Sequence, residues 1–126
     1  MREIPPCANV RLGTLEAQVM DVLWQHGPST VRDVIDHISS GPAYTTIATV
    51  LGNLSRKELV TVERENHSTR YSTALGRDEY AACGMARRMA TFAEDRTATL
   101  SFFTEYLSDD DLDALQRALD KRRVQV

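Results

Sequence analysis

Residues 43–73 read AYTTIATVLGNLSRKELVTVERENHSTRYST, and the spacing of their apolar residues changes part of the way along. From 43 to 56 the apolar residues recur every three or four positions, the period of an amphipathic helix: Ile47, Val50, Leu51 and Leu54. After that come two β-branched or aromatic runs, 59–62 and 69–73, around the turn-forming residues 65–68. The stretch therefore predicts a helix of about twelve residues followed by a β-hairpin.

Two further helices are predicted before this stretch. The first carries an apolar face of Leu15, Val19, Met20, Val22, Leu23 and Trp24, with Gly13 or Thr14 as its N-cap. Gly27 and Pro28 stop it, and Ser29 or Thr30 caps the second helix, whose apolar stripe is Val31, Val34, Ile35 and Ile38. The segment 39–42 (SSGP) then ends the second helix before the third begins.

The chain is predicted to become helical again after the hairpin. Apolar residues at helical spacing first appear at Met85, Met89 and Phe92, and then at Phe102, Phe103, Tyr106 and Leu107. A last helix begins at the N-cap Ser108, with acidic residues in its first turn and basic residues at 121–123 in its last turn. Its apolar stripe is Leu112, Leu115 and Leu119.

This order of elements predicts a mostly α fold with a small β-hairpin wing: a winged helix-turn-helix over residues 1–75, followed by a C-terminal helical dimerisation arm over 76–126. The last 51 residues are too few to bury a core of their own, although they carry many large apolar side chains. A second copy around a two-fold axis is the favoured cover, with packing onto the N-terminal domain as the alternative. The residues expected at the dimer contact are Met85, Met89, Phe92, Phe102, Phe103, Tyr106, Leu112, Leu115 and Leu119.

The composition excludes several classes of protein. The chain is 42% hydrophobic and 26% charged, which is typical of globular proteins, and it has no apolar run long enough to span a bilayer. No signal peptide is recognisable in residues 1–14, so we expect a cytoplasmic protein. Cys7 and Cys83 are in no metal-ligand spacing and predict neither a disulfide framework nor a zinc site.

The third helix and the hairpin carry the residues expected to bind DNA. The outward face of the helix is rich in threonine, whose hydroxyl and methyl groups suit contacts with phosphates and bases in a major groove. The net charge of −3 speaks against a DNA-binding domain, but phosphate binding requires only local clustering of positive charge. We expect Arg64 and Arg70 to be presented together with His67 on the wing. The complete expected set is Arg11, Arg32, Tyr44, Thr45, Thr46, Thr49, Asn53, Arg56, Lys57, Arg64, His67 and Arg70.

No catalytic or metal-binding arrangement is visible in the sequence. His26, His37 and His67 are expected in a loop, on an exposed helix flank and in the hairpin turn, and they lack the spacing of a helical metal site. Neither a nucleophile elbow nor a phosphate-binding loop is present, and no cofactor is expected. Cys83 is expected to pack as a small hydrophobic residue.

Several segments resemble the penicillinase-repressor family (BlaI/MecI type). They are Leu15-Glu16, residues 19–24 (VMDVLW), 30–34 (TVRDV) and 43–51 (AYTTIATVL), and Leu54. The resemblance is strongest over 12–75 and weaker over 98–119. It implies a dimeric winged-helix repressor of bacterial β-lactamase and related antibiotic-response genes, which binds palindromic operators through the helix matching Thr45 to Arg56.

The same resemblance implies regulation by proteolysis. Many family members are cleaved when a membrane sensor with a metalloprotease domain is triggered, and the bond matching the cleavage site is Ser101–Phe102. Here a serine stands where the best-known members have asparagine, and Asn53 stands where a basic residue is usual. The chain also lacks the cysteine-rich tail of copper-responsive members. A winged-helix adaptor that binds protein, and not DNA, is the alternative function, and the acidic net charge is its main support.

Overall fold

The computed structural model of the chain describes residues 12–124. Among these residues there are six helices and one two-stranded antiparallel sheet, so the predicted mostly α fold with a hairpin is confirmed. The elements in chain order are α1 (Thr14–His26), α2 (Val31–Asp36), α3 (Tyr44–Arg56), β1 (Val60–Glu65), β2 (Ser68–Thr73), α4 (Arg77–Phe92), α5 (Arg96–Thr104) and α6 (Asp109–Val124).

The core is built from the apolar stripes of the first three helices. Most of the side chains of α1 and α3 that the periodicity predicts to be internal are buried: Val19, Met20, Val22, Leu23, Ile47, Val50, Leu51 and Leu54. Leu15 and Trp24 of α1 are half-buried. Each Leu or Ile buried in this way contributes about 1.5–3 kcal/mol relative to exposure. In α2, Val31 and Val34 are buried and Ile35 is half-buried. The helix ends at Asp36, so Ile38 is buried from the segment beyond it.

Thr30, the second of the two candidate N-caps, begins α2. Its hydroxyl accepts a hydrogen bond from the Asp33 amide at 3.1 Å, and the Asp33 carboxylate accepts one from the Thr30 amide at 3.1 Å. Ser29 has another role, because its backbone pairs with that of Tyr71 through bonds of 3.0 and 2.8 Å. The segment before α2 is thereby joined to the outer edge of β2.

A left-handed residue joins α3 to the hairpin. Glu58 has φ 63°, its amide bonds to the Ser55 carbonyl, and the Leu59 amide bonds to the Leu54 carbonyl at 2.9 Å. This is the Schellman arrangement, with Leu54 and Leu59 buried as its accompanying apolar pair. The turn between β1 and β2 is also left-handed, with φ 46° at Asn66 and 68° at His67, which is the conformation of a two-residue type I′ turn.

Trp24 holds the start of α4 against α1. Its indole Nε1 donates a hydrogen bond of 2.9 Å to the Leu75 carbonyl, and the Arg77 guanidinium lies 5.0 Å from the ring centroid. Arg77 also forms an ion pair of 2.5 Å with Asp21, and the Tyr80 ring lies 5.5 Å from that of Trp24. These contacts determine where the chain leaves the hairpin.

The chain divides into two compact units, the first ending at Arg87 and the second beginning at Arg88. The functional boundary predicted between residues 75 and 76 stays a prediction. In the second unit Asp95 caps α5, and Ser108 forms the predicted cap of α6 by accepting a hydrogen bond from the Asp111 amide at 3.1 Å. Among residues 12–124 no helix is long and apolar enough to cross a membrane.

The left-handed Glu58 makes a test of the α3–β1 connection. A non-glycine residue in this conformation costs about 1–2 kcal/mol, part of which glycine loses again through the entropy of the unfolded chain. We expect Glu58→Gly to raise the free energy of unfolding by about 0.5–1 kcal/mol, measured from urea midpoints at constant m-value.

Glu58→Ala is the matched control, because it removes the same side chain but keeps the left-handed cost. An alanine variant as stable as the glycine variant would contradict this account of the turn.

Candidate nucleic-acid interface

The face of α3 opposite the core is exposed and polar. Thr45, Thr46 and Thr49 are all exposed, because burial of the apolar stripe of the same helix turns the other side outward. The helix has 13 residues and a length of about 20 Å, which suits a major groove. The structure therefore places these three predicted residues on one accessible surface.

The N-terminus of α3 lacks a side-chain cap. Ala43 occupies the N-cap position and makes no side-chain hydrogen bond, and its carbonyl accepts the amides of Thr46 and Ile47. The amides of Tyr44 and Thr45 lie at the positive end of the helix dipole, an arrangement that favours anions. The sequence analysis missed this feature, although an alanine where Ser, Thr, Asp or Asn is usual was the signal.

Arg32 on α2 reaches the start of α3. Its guanidinium carbon lies 5.7 Å from the ring centroid of Tyr44, a cation–π contact between two exposed side chains. A positive charge is thus held beside the uncapped end of α3.

Asn53 and Arg56 interact with each other at the C-terminal end of α3. The Arg56 guanidinium donates a hydrogen bond to the Asn53 side-chain oxygen. The hydrogen bond fixes the side chains of Asn53 and Arg56 relative to each other, so that neither can turn toward a ligand without moving the other.

Lys57 has a partner within the chain. Its ammonium forms an ion pair of 2.7 Å with the Glu16 carboxylate of α1. This hydrogen bond is the largest cause that lowers the pKa of Glu16 below its usual 4.5, helped by the Gly13 amide and opposed by desolvation. The structure assigns Lys57 to holding α3 on α1, a role that the sequence does not reveal.

Arg64 and Arg70 were expected to be presented together on the wing. In the structure they lie on different faces of the hairpin. Strand pairing places Arg64 opposite Thr69 and Arg70 opposite Glu63. Because successive residues of a strand point to opposite faces, Arg64 and Arg70 lie on different faces of the ribbon. The wing therefore presents the two arginines from opposite faces, in the register that the two-residue turn sets, and their joint contact with DNA stays a prediction.

Arg70 has two acidic neighbours, Asp33 and Glu63. The pKa of Asp33 is lowered mainly by its hydrogen bonds with the Thr30 backbone and hydroxyl, and the positive charge of Arg70 lowers it further. Arg70 also has Glu63 as its cross-strand neighbour. Neither Arg64 nor Arg70 forms an ion pair within residues 12–124. His67, the third predicted wing residue, is exposed at the tip of the turn.

Two of the histidines, His26 and His37, form a contact that the sequence did not predict. His26 is the last residue of α1, where a loop was expected, and its ring stacks on that of His37 with centroids 3.8 Å apart. Residues 12–124 contain no group of three or more side chains able to hold a metal ion. Of the other singled-out residues, Cys83 is buried with a free thiol, and Arg11 and Cys7 lie outside the described residues.

The residues expected at the dimer contact are accessible within the chain. Met89 is half-buried, and the other eight are exposed: Met85, Phe92, Phe102, Phe103, Tyr106, Leu112, Leu115 and Leu119. The Ser101–Phe102 bond lies within α5, and both of its residues are exposed.

Comparisons with known proteins agree with the family and the fold that the sequence predicts. The model of the penicillinase repressor family matches residues 12–121. The transcriptional regulator BlaI of Mycobacterium tuberculosis is 45% identical over 115 residues, which cover 86% of this chain and 83% of the relative. The solution structure of the DNA-binding domain of the repressor BlaI aligns with a TM-score of 0.50 at 27% identity, over 64% of this chain and 94% of that domain.

Two other solved structures are similar at lower scores. The monomeric form of Bacillus licheniformis BlaI in complex with the blaP half-operator has a TM-score of 0.48 at 26% identity, over 64% of this chain and 94% of that one. A MarR family protein from Bacillus stearothermophilus has a TM-score of 0.48 at 18% identity, over 93% of this chain and 76% of that one.

The ion pair between Lys57 and Glu16 makes a pH-dependent prediction. Because the pKa of Glu16 is lowered by folding, the pair stabilises the protein above about pH 4.5 and ceases to do so as the pH falls through the folded pKa. Lys57→Met should lower the free energy of unfolding at pH 7 by about 0.5–1 kcal/mol, the range for a pair partly screened by solvent.

A double-mutant cycle with Glu16→Gln isolates the interaction between the two side chains. The coupling energy should shrink as the pH is lowered below 4.5. A coupling of zero at pH 7, or one that does not change with pH, would show that the pair contributes nothing to stability.

Proposed function

The chain belongs to the penicillinase repressor family, and from this premise we propose that it is a cytoplasmic, homodimeric transcriptional repressor that binds a palindromic operator. The observation that supports the proposal most is the exposed threonine face of α3, beside an N-terminus that has no side-chain cap. The family consists of transcriptional regulators, so the protein is not an enzyme.

In this proposal α3 lies in the major groove and reads bases. The methyl groups of Thr45, Thr46 and Thr49 can contact thymine methyls, and their hydroxyls can bond to base edges or phosphates. The linked Asn53 and Arg56 extend the contact surface toward the C-terminal end of the helix.

Phosphate contacts are made at two places beside this helix, its N-terminus and the wing. The Tyr44 and Thr45 amides, together with Arg32, hold one phosphate at the start of α3. Arg64 contacts the backbone from the wing, whereas Arg70 has Asp33 and Glu63 nearby, whose negative charges oppose a phosphate contact. A local cluster of this kind binds DNA even in a chain with net charge −3.

Dimerisation supplies the second half of the recognition surface. The exposed apolar residues of α4 to α6 are covered by the same residues of a second copy, which relates two α3 helices by a two-fold axis. The two half-sites of a palindrome would then lie about 34 Å apart, one helical turn of DNA, or a small multiple of this.

Cleavage of the Ser101–Phe102 bond would reverse repression. The bond is helical, so a protease must first unfold α5 locally, and the exposure of both residues makes this opening inexpensive. The cut separates α6 and the aromatic residues Phe102, Phe103 and Tyr106 from the DNA-binding part. A membrane sensor with a protease domain is the source of cleavage that fits the family. Cleavage would then abolish the dimer, and loss of the dimer would release the operator.

The first experiment measures binding of the intact protein to its own upstream intergenic DNA and to random duplex at two salt concentrations. We expect one dimer per site, a preference for the upstream DNA of at least about 1,000-fold, and affinity that falls steeply with salt. Equal affinity for both duplexes at both salts would contradict specific repression.

Three variants distinguish phosphate contacts from base contacts in the same assay. Arg64→Ala should reduce the salt slope by about 0.9 per half-site with equal losses on both duplexes, and Arg70→Ala should reduce it less. Thr46→Ala should weaken the cognate complex about 5-fold and leave random duplex unchanged. If the Thr46 variant loses equally on both duplexes, this residue does not read bases.

A chain ending at Ser101 tests the consequence of cleavage. It should sediment as a monomer and bind the operator at least about 100-fold more weakly, because binding at one half-site no longer assists the other. Full-length Leu115→Asp is the matched control, an uncut chain expected to be monomeric for the same reason. A truncated chain that still dimerises would place the interface before residue 102 and exclude this route of derepression.

A further inference from the structure

The charges of α6 are segregated along its length. An acidic end consists of Asp109, Asp110, Asp111 and Asp113, and a basic end consists of Lys121, Arg122 and Arg123. Between them runs the leucine stripe of Leu112, Leu115 and Leu119, with relative exposures of 38%, 36% and 41%. No residue of α6 is buried, so more than a third of the surface of each leucine is available to a partner.

Interactions within the helix leave most of these charges without an opposite partner. Only Asp111 takes part in the N-terminal cap, through its bonds with Ser108. Asp120 accepts a hydrogen bond from Gln116 at 2.9 Å, and within 109–124 no ion pair joins an acidic to a basic residue. The helix dipole favours this distribution of charge but does not cover the leucines.

A second copy of α6 covers the leucines, and the charges decide its direction. In a parallel pair the two acidic ends lie together and so do the two basic ends, which is destabilising. In an antiparallel pair each acidic end lies beside the basic end of the other copy, and the two leucine stripes still face each other.

We propose that α6 pairs antiparallel with α6 of a second copy. The leucine stripes form the apolar contact between the two helices, and attraction between the acidic and basic ends sets their direction. The proposal rests on the dimer of the proposed function and adds its geometry. Matching the centres of the acidic and basic ends puts the two-fold axis near Gln116 and Arg117. The acidic and basic ends then exclude both the parallel orientation and pairing with helices that have another charge pattern.

Charge reversal distinguishes the two orientations. The basic-end variant carries Lys121→Glu, Arg122→Glu and Arg123→Glu, and the acidic-end variant carries Asp109→Lys, Asp110→Lys and Asp113→Lys, which spares the capping Asp111. In an antiparallel pair each variant brings like charges together, whereas their combination restores opposite charges. In a parallel pair the ends carry like charges in every one of these proteins.

Dimer dissociation constants are measured by sedimentation equilibrium on the intact chain at low and high salt, with far-UV circular dichroism to verify helix content. We expect each single-end variant to dissociate about 10-fold more readily at low salt, and less so at high salt. The combined variant should return to within about 3-fold of the natural protein. Single-end variants that dimerise as tightly as the natural chain, or a combined variant that is no tighter than either, would overturn the antiparallel pairing.

Spin-label distances test the geometry without altering the charge pattern as a whole. Labels on Asp110→Cys and Arg117→Cys are compared in a background with Cys7→Ser and Cys83→Ser. Antiparallel pairing places the two copies of residue 110 about 20 Å apart along the helix axis, at about 1.5 Å per residue, and the two copies of residue 117 at nearly the same level. The distance at 110 should therefore exceed that at 117, and equal distances would establish a parallel pair.

These results separate the two proposals. A natural chain that is monomeric at all accessible concentrations contradicts the dimeric repressor itself. A natural chain that is dimeric, with single-end variants that dimerise normally and with equal spin-label distances, contradicts only the antiparallel α6 pair.

Discussion

The burial of one face of α3 is the constraint on which the rest of the structure depends. Ile47, Leu51 and Leu54 are almost completely buried, and a helix that buries one stripe must expose the opposite one. The threonines of the outward face therefore acquire their position from the leucines of the inward face. The Lys57–Glu16 ion pair adds a polar attachment of the same helix to α1.

The wing is positioned by the backbone at both of its ends. The left-handed Glu58 turns the chain from α3 into β1, and the paired backbones of Ser29 and Tyr71 attach β2 to the segment before α2. Within the hairpin, the two-residue turn at Asn66 and His67 fixes the register and thereby the side on which each arginine lies. The wing thus brings Arg64, whose cross-strand neighbour is the uncharged Thr69, to the edge of the proposed interface.

The acidic net charge of the chain is explained by where the acidic side chains lie. Some of the acids have local roles: the carboxylates of Asp33, Asp95 and Asp111 accept hydrogen bonds from backbone amides at the starts of helices. The remaining acids of α6 form the end that we propose to face the basic end of a second copy. Net charge is consequently a poor guide to DNA binding here, because charge used in capping and in assembly is counted together with charge at the interface.

Local patterns in the sequence determined the presence of the helices, most of their buried faces, the cap at Ser108 and the position of the hairpin turn, because each depends on neighbours within a few residues. They narrowed the cap of α2 to Ser29 or Thr30, and the structure decided for Thr30. The three threonines of α3 followed from the same periodicity. Only the tertiary structure decided that Arg64 and Arg70 lie on different faces, that Lys57 binds Glu16, and that His26 stacks on His37. Strand register depends on the conformation of a two-residue turn, and contacts between distant residues depend on how whole elements pack, so neither leaves a periodic signal in the sequence.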